Sequence, residues 1–514
     1  MIKDMTEKSI SIRAVLIALF LVISVAAAAV SPITAEASSN EAGGTVNALS
    51  YKMSLKLDTK ADSLSETVVI RFRNETDKPV SQIYIRDMTP AALRYYKKNY
   101  AGSANTNVST KIRSIRLKGS KKNLKYKSLK GKTVLVVRLG KGRLMPGETG
   151  SVVVRMKTDI PDRQDRFGFQ KTKKGKLYTL SFCFPYLADN KNGKWNTDPY
   201  FDDGESRSSD LANYYVSFKA PKSYTVAATG DEVTRRGVSR ITAKGYRDFA
   251  IVASNFMKKD SFKVNGIKVN NYYLNGGHHK QYRRLSKMVA ADSIKLFSKK
   301  IGKYAYKELD MVECLFGFGF GGMEYPGLVM INGSTYLEGK GNKFGAQSLA
   351  EVVTHEIGHQ WFYAAVGNRE YAEAWIDEGF TSFLEKDVYG LTDNKSNRYL
   401  RKVDKYVPSI KSLKKDQAEF LKLYKKENKG DYLNISPSKY PKTRYYGSAE
   451  YDGGYLFLVD VKNIMGEDKF YSFIREYYDT YFMKTVKTKE IVKLIRKYDN
   501  SEEMNKAIRF FIKE

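Results

Sequence analysis

At 514 residues the chain is long enough for two or three domains with real cores, and 42% hydrophobic with 13% aromatic residues excludes a disordered, collagen-like or coiled-coil protein. The formal charge of +32 implies attraction to anionic partners (nucleic acid, a membrane surface, a polyanionic cell wall, acidic peptides), unless it is only a solvated basic surface. Two cysteines, Cys183 and Cys314, exclude a disulfide scaffold; they either bridge or stand as two buried thiols.

The amino terminus narrows these choices. Lys3, Lys8 and Arg13 precede an apolar run, Ala14 to Val30, which Pro32 breaks before Ala35-Glu36-Ala37. That is the layout of a secretory signal peptide over residues 1–37, cleaved after Ala37, with an uncleaved anchor as the alternative because the run approaches bilayer-spanning length. Either way the remainder is expected outside the cytoplasm, secreted or at the cell surface, where nucleic acid drops out as a partner. Residues 38–44 read as a flexible lead-in.

Strand signals dominate next. In Glu66 to Arg73, Val68, Ile70 and Phe72 face one way while Arg71 and Arg73 face the other, and Thr133 to Leu139, Ser151 to Lys157 and Tyr214 to Phe218 behave similarly. Turn-rich pieces such as Pro146-Gly147-Glu148 separate them, so residues 45–260 are expected to form a β-sandwich-like domain. The lysine-rich stretch Lys118 to Lys132 reads as a solvated loop or hairpin.

From about Gln281 the pattern changes to helical spacing: Arg284 to Lys299, Ser348 to Tyr363, Ile376 to Val388, Tyr455 to Ile464, Asp468 to Tyr478 and Thr488 to Tyr498. Strands are expected at Asp310 to Leu315 and Leu328 to Ile331, around a glycine-rich turn ending in Gly321-Gly322. Residues 261–514 are thus a mixed α/β unit that becomes mainly helical. The segment 386–445 is basic and polar, with helical pieces that periodicity does not place.

The chemistry concentrates in His355-Glu356-Ile357-Gly358-His359. Histidines four apart on a helix project from one face about 5 to 6 Å apart and can share a metal, and the glutamate between them sits beside that metal as general base of a metallopeptidase. Catalytic zinc needs a third protein ligand. Glu378 is a candidate, because Val366-Gly367-Asn368-Arg369 is a turn-like break that lets a second, antiparallel helix bring a carboxylate back. The chain has only four histidines, and the other two, His278 and His279, are adjacent and do not share a helical face. Glu385, two helical turns after Glu378, either orients a zinc histidine or is a solvated surface glutamate.

H-E-x-x-H with a glutamate after eighteen further residues, flanked by Gln360-Trp361-Phe362 and Trp375-Ile376-Asp377-Glu378-Gly379-Phe380, closely resembles the aminopeptidase N family of gluzincin zinc peptidases. That resemblance implies a thermolysin-like catalytic domain, one Zn²⁺ per chain on His355, His359 and Glu378, and peptide substrates with a free N-terminus. It also reaches Gly321-Gly322-Met323-Glu324-Tyr325, similar to the family's exopeptidase motif, whose glutamate (here Glu324) binds the substrate's α-amino group; taken alone, Glu324 is a strand-end glutamate beside a glycine bulge. Tyr325 stands where the family commonly has asparagine, which leaves the glutamate intact and the fine shape of the first subsite open. Tyr451-Asp452-Gly453-Gly454 resembles the family segment whose tyrosine stabilises the oxyanion, and Tyr446 matches a second family tyrosine. With only about sixty residues after Tyr451, the resemblance implies a compact, bacterial-type member lacking the large C-terminal helical domain, with a more open cavity. Rivals are a zinc endopeptidase of the same fold and a basic cell-surface binding protein with a non-catalytic zinc site. Oligomeric state is left open.

Overall fold

The computed structural model describes residues 44–514 apart from 100–107, 130, 132, 141–142, 203, 205–209, 276–279, 318–320, 334–344, 405–406, 429, 431 and 441–445. The expected signal peptide, most of the lead-in, and His278 and His279 lie outside the described residues. No helix among the described residues is long and apolar enough to cross a membrane.

Alternation builds the first half. In the strand Ser63–Asn74, Val68, Ile70 and Phe72 have no exposed surface, whereas Arg71 and Arg73 are exposed. This strand pairs with Val46–Asp58 on one side and Thr149–Asp159 on the other, at the heart of a seven-stranded sheet. Two four-stranded sheets accompany it, one containing Gln82–Arg86 and Val134–Arg138, the other Gly175–Leu180 and Ile251–Ser254. Ile83, Ile85 and Val137 of the first share a core with Phe72 and Val154, the layered packing expected of this half. The lysine-rich stretch is indeed largely exposed and includes a strand, Tyr126–Ser128, paired with Val134–Arg138.

The second half starts with a five-stranded sheet in the order Met257–Val264, Ile267–Leu274, Glu308–Cys314, Leu328–Asn332, Gly322–Met323. The boundary expected at residue 260 therefore falls inside a strand of this sheet. Helices follow, and the helices Lys280–Lys300 and Gly345–Gly358 pack together through Leu285, Val289, Leu349 and Val353 of the common core. That core runs from Val46 to Ile512, so the two halves are one packed unit. Arg369 clamps Asp198 across them with two hydrogen bonds of 2.9 and 2.5 Å. Cys183 and Cys314 are both buried and do not bridge each other.

Two expectations shift in detail. The helix expected over Ser348 to Tyr363 ends at Gly358, after which Gln360 and Trp361 bond back to Ile357 and Gly358 in tight turns. The helix expected over Ile376 to Val388 is α-helical only over Trp375–Phe383 and continues as a wider π-helical turn, Leu384–Tyr389. A second π-helical turn, Ser448–Gly453, precedes the α-helix Gly454–Met465. Such insertions gather at functional sites because one extra residue re-aims the side chains around it.

Candidate metal and catalytic site

Four segments converge on one cavity of about 460 Å³: the strand Gly322–Met323, the histidine helix Gly345–Gly358, the helix from Trp375, and the π-helical turn holding Tyr451. His355 and His359 bring their Nε2 atoms within 3.2 Å of each other. Glu378 Oε2 lies 3.1 Å from the first and 3.3 Å from the second. The sequence pairing of these three residues is therefore realised, and they form the one candidate metal group among the described residues.

The far side of each imidazole fixes its tautomer. His355 Nδ1 donates to Glu385 Oε2 at 3.0 Å, and His359 Nδ1 donates to the Phe362 carbonyl at 3.1 Å, with the Thr381 hydroxyl 3.2 Å away. With the protons on Nδ1, both Nε2 lone pairs and a carboxylate oxygen point at one spot. Three electron pairs at that separation repel unless a proton or a metal cation lies among them, and the donor set, two imidazoles and one carboxylate converging on one spot, suits zinc in place of the proton. Burial alone would pull the His355 imidazole down, but Glu378 and Glu385 together hold it well above its usual value. Conversely, burial works to raise the Glu378 carboxyl, and the two imidazoles overcome it, leaving it well below the usual carboxylate range.

Glycines set the other distances. A Cβ on Gly322 would meet the Glu356 carboxyl carbon at 2.5 Å, so any side chain there would push the end of the glutamate aside. Gly379 and Gly454 face each other where their helices cross, and a Cβ on either would lie 2.8 or 2.7 Å from the other's Cα. This contact draws Tyr451 toward Glu378: its hydroxyl donates to Glu378 Oε1 at 2.5 Å, and its ring stacks on His355 with centroids 5.7 Å apart. Burial pushes the Tyr451 hydroxyl well up, and the neighbouring Glu378 adds to it, so it remains a proton donor.

Glu324 is held in register with the metal residues by Gln360, next to His359. The Gln360 amide donates to the Glu324 and Tyr325 carbonyls at 3.2 and 3.3 Å and accepts from the Gly327 N–H at 2.8 Å. Glu324, Gly321, Gly322 and Met323 all line the cavity, as do Glu356 and Tyr451. One expectation differs here. Tyr446 does not line it; its ring is buried edge-on against Phe201 and Tyr440, behind Gly204. The Tyr325 ring turns into a core with Cys314, Leu328 and Met330, where burial of apolar area wins.

The sequence reading missed several wall residues. Glu351 lies one turn before His355, Lys386 and Asp452 follow Glu385 and Tyr451 directly, and Lys386 Nζ meets Asp452 at 3.1 Å. Helical spacing points to Glu351, four residues before His355, and to Lys386, eight after Glu378, but not to Asp452, which directly follows Tyr451. Arg166 and Gly204 arrive from the first half with no local signal; Arg166 donates to the Asp202 and Gly204 carbonyls at 3.0 and 3.1 Å.

Comparison with known proteins agrees with this geometry. Residues 288–513 match the model of the peptidase family M1 domain. Curated relatives include aminopeptidase B of Mus musculus, 25% identical over 39% of this chain and 29% of its own length, and leucine aminopeptidase 2 of Coccidioides immitis, 26% identical over 39% and 30%. These matches span less than a third of the relatives' length. Among solved structures, the M1 zinc metallopeptidase from Deinococcus radiodurans shares the fold, with a TM-score of 0.61 at 16% identity over 91% of this chain and 95% of that one.

Proposed function

We propose that this chain, whose residues 288–513 match the peptidase family M1 domain, is a zinc-dependent aminopeptidase that hydrolyses the N-terminal residue of peptides. The observation that carries the reading is the convergence of His355 Nε2, His359 Nε2 and Glu378 Oε2 within 3.3 Å, in a cavity whose wall also holds Glu356 and Glu324. Aminopeptidase relatives support it.

His355, His359 and Glu378 are the residues that hold zinc; when bound, zinc supplies Lewis acidity, making water more acidic and a carbonyl more electrophilic. Glu356 takes the proton of the attacking water and hands it to the departing amine. Glu324 receives the substrate's α-ammonium group, which is largely cationic at neutral pH, and so sets the cleaved bond one residue from the free end. Tyr451, which donates to Glu378 in this structure, is the donor at the cavity wall for the oxygen that gains charge as the carbonyl is attacked. Glu385 keeps the His355 lone pair aimed inward. Export is part of the proposal: the basic residues and apolar run before Ala37 support it.

The test is a panel of aminoacyl chromogenic substrates and matched N-acetylated forms, with chelator and with zinc restored. Hydrolysis that needs both zinc and the free amine is expected. Equal cleavage of the acetylated forms would establish an endopeptidase instead, and no zinc-dependent hydrolysis of either would end the enzymatic reading.

A further inference from the structure

A second concavity, of about 490 Å³, lies between the long helix Lys280–Lys300, the strand Met257–Val264 and the first turn of the helix Lys395–Val403. It shares no lining residue with the catalytic cavity. Five cations line it, Arg283, Arg284, Lys287, Lys295 and Lys395, against two carboxylates, Asp260 and Asp292. Both carboxylates are already engaged. Asp292 accepts from the Ser396 N–H and hydroxyl, both at 2.7 Å, which docks the Lys395 helix. Asp260 is shared by Arg283 and Lys287, each at 3.2 Å. The Arg283 guanidinium is further fixed over the Tyr273 ring, 3.5 Å from its centroid. Arg284, Lys295 and Lys395 are exposed and have no carboxylate within ion-pair distance among the described residues.

The arrangement is built rather than diffuse. Arg284 and Lys295 are eleven residues apart on one helix, about 16 Å along its axis, with Met288 and Ala291 between them and Phe262 opposite. A single small anion cannot reach both cationic ends; a chain of anions can. The aliphatic middle suits a ligand whose charges are joined by short carbon links. A flat bilayer is a poor fit, because the groove is concave and, among the described residues, none of the exposed large apolar side chains lies in it.

We propose that this groove binds a linear phosphodiester polyanion with a short polyol backbone, Arg284, Lys295 and Lys395 neutralising successive phosphates and Met288 and Phe262 lying under the carbon links. This goes beyond the peptidase reading and does not depend on it. The chain as a whole carries a formal charge of +32, so the test has to separate this groove from general attraction.

The full chain and two triple variants are titrated with a synthetic glycerol-phosphate oligomer and with phosphatidylglycerol vesicles, at several salt concentrations. One variant is Arg284→Glu, Lys295→Glu and Lys395→Glu; the other makes the same charge change at Lys411, Lys414 and Lys422, exposed positions on the helix Ile410–Glu427. The groove variant is expected to weaken oligomer binding at least tenfold and to lower the slope of log Kd against log salt by about 2, close to 0.7 for each lost phosphate contact. The control variant is expected to change Kd less than threefold, and both should keep the wild-type melting temperature and aminoacyl hydrolysis. Equal losses in the two variants would overturn the proposal, as would a groove variant that loses vesicle binding while keeping the oligomer.

Discussion

Replacing Gly379 with alanine tests whether the crossing of two helices sets the reach of Tyr451. The new Cβ would stand 2.8 Å from the Gly454 Cα and 2.9 Å from its carbonyl carbon, all backbone atoms that no rotamer change can move. Carbon atoms approach comfortably to about 3.5 Å, so the helices must part by roughly 0.7 Å. The Tyr451 hydroxyl now lies 2.5 Å from Glu378 Oε1; the same displacement carries it to about 3.2 Å, outside the range of a good O–H···O bond. The overpacking should cost about 1–3 kcal/mol, read as a lower Tm by scanning calorimetry. Misplacement of the tyrosine should lower kcat by about tenfold to a hundredfold on an aminoacyl substrate. Gly447→Ala is the control, because it lies beside the same π-helical turn with helical dihedrals, φ −58 and ψ −45, and its Cβ would meet nothing within 4 Å. That variant should be neutral or slightly stabilised. Wild-type Tm and turnover in Gly379→Ala would refute the idea that this contact positions Tyr451.

Glu356→Gln should keep one zinc per chain by metal analysis and lose on the order of 10² to 10⁴ in turnover, since the amide cannot take a proton. Removing the Glu385 partner of His355 with Glu385→Ala should weaken zinc about 10- to 100-fold in chelator competition, while Glu385→Gln, whose amide oxygen still accepts from Nδ1, should recover part of the loss. Burial pushes the Asp310 carboxyl up to about 8, against a hydrogen bond from Asn270 that opposes the shift. Because the folded pKa is raised, the stability contributed by that proton is complete below about 4 and is lost as pH rises through 8, so urea midpoints should fall across this window and Asp310→Asn should flatten the fall. Peptides beginning with aspartate or glutamate should show kcat/KM about 10- to 100-fold below their asparagine and glutamine counterparts, because an uncompensated charge near the wall carboxylates costs roughly 1–3 kcal/mol at an effective dielectric near 20.

How far the sequence disclosed this site depends on the kind of order involved. The pairing of His355 with His359 and of Glu378 with Glu385 follows from helical period alone, and the strand Ser63–Asn74 follows from alternation, because each burial pattern repeats along one local segment. The helix Ile410–Glu427 escaped placement because its apolar stripe, Ile410, Leu413, Leu421 and Tyr424, is only half-buried and is diluted by many charged neighbours and by exposed Phe420 and Leu423. Arg166 and Gly204 reach the cavity through the assembly of two halves, which no local pattern records. The π-helical turns around Glu385 and Tyr451 were also invisible, since a hydrogen-bond shift of one residue leaves composition and spacing unchanged. Tyr325 and Tyr446 show the limit of motif matching, because a motif fixes the backbone path while the neighbouring core decides where a ring turns.

The charge of the chain changes meaning once it is distributed. Summed over the molecule it is +32, yet the catalytic cavity holds six carboxylates, Glu324, Glu351, Glu356, Glu378, Glu385 and Asp452, against two cations other than histidine, Arg166 and Lys386. Lys386 is occupied by Asp452. At physiological salt a charge is felt over about 8 Å, so a ligand inside the cavity responds to those carboxylates and hardly at all to distant lysines. The groove on the long helix has the opposite balance, five cations to two engaged carboxylates. Two sites of opposite polarity on one chain can work without competing: a polyanion held at the groove is repelled from the zinc residues, while a cationic amino terminus is drawn to them.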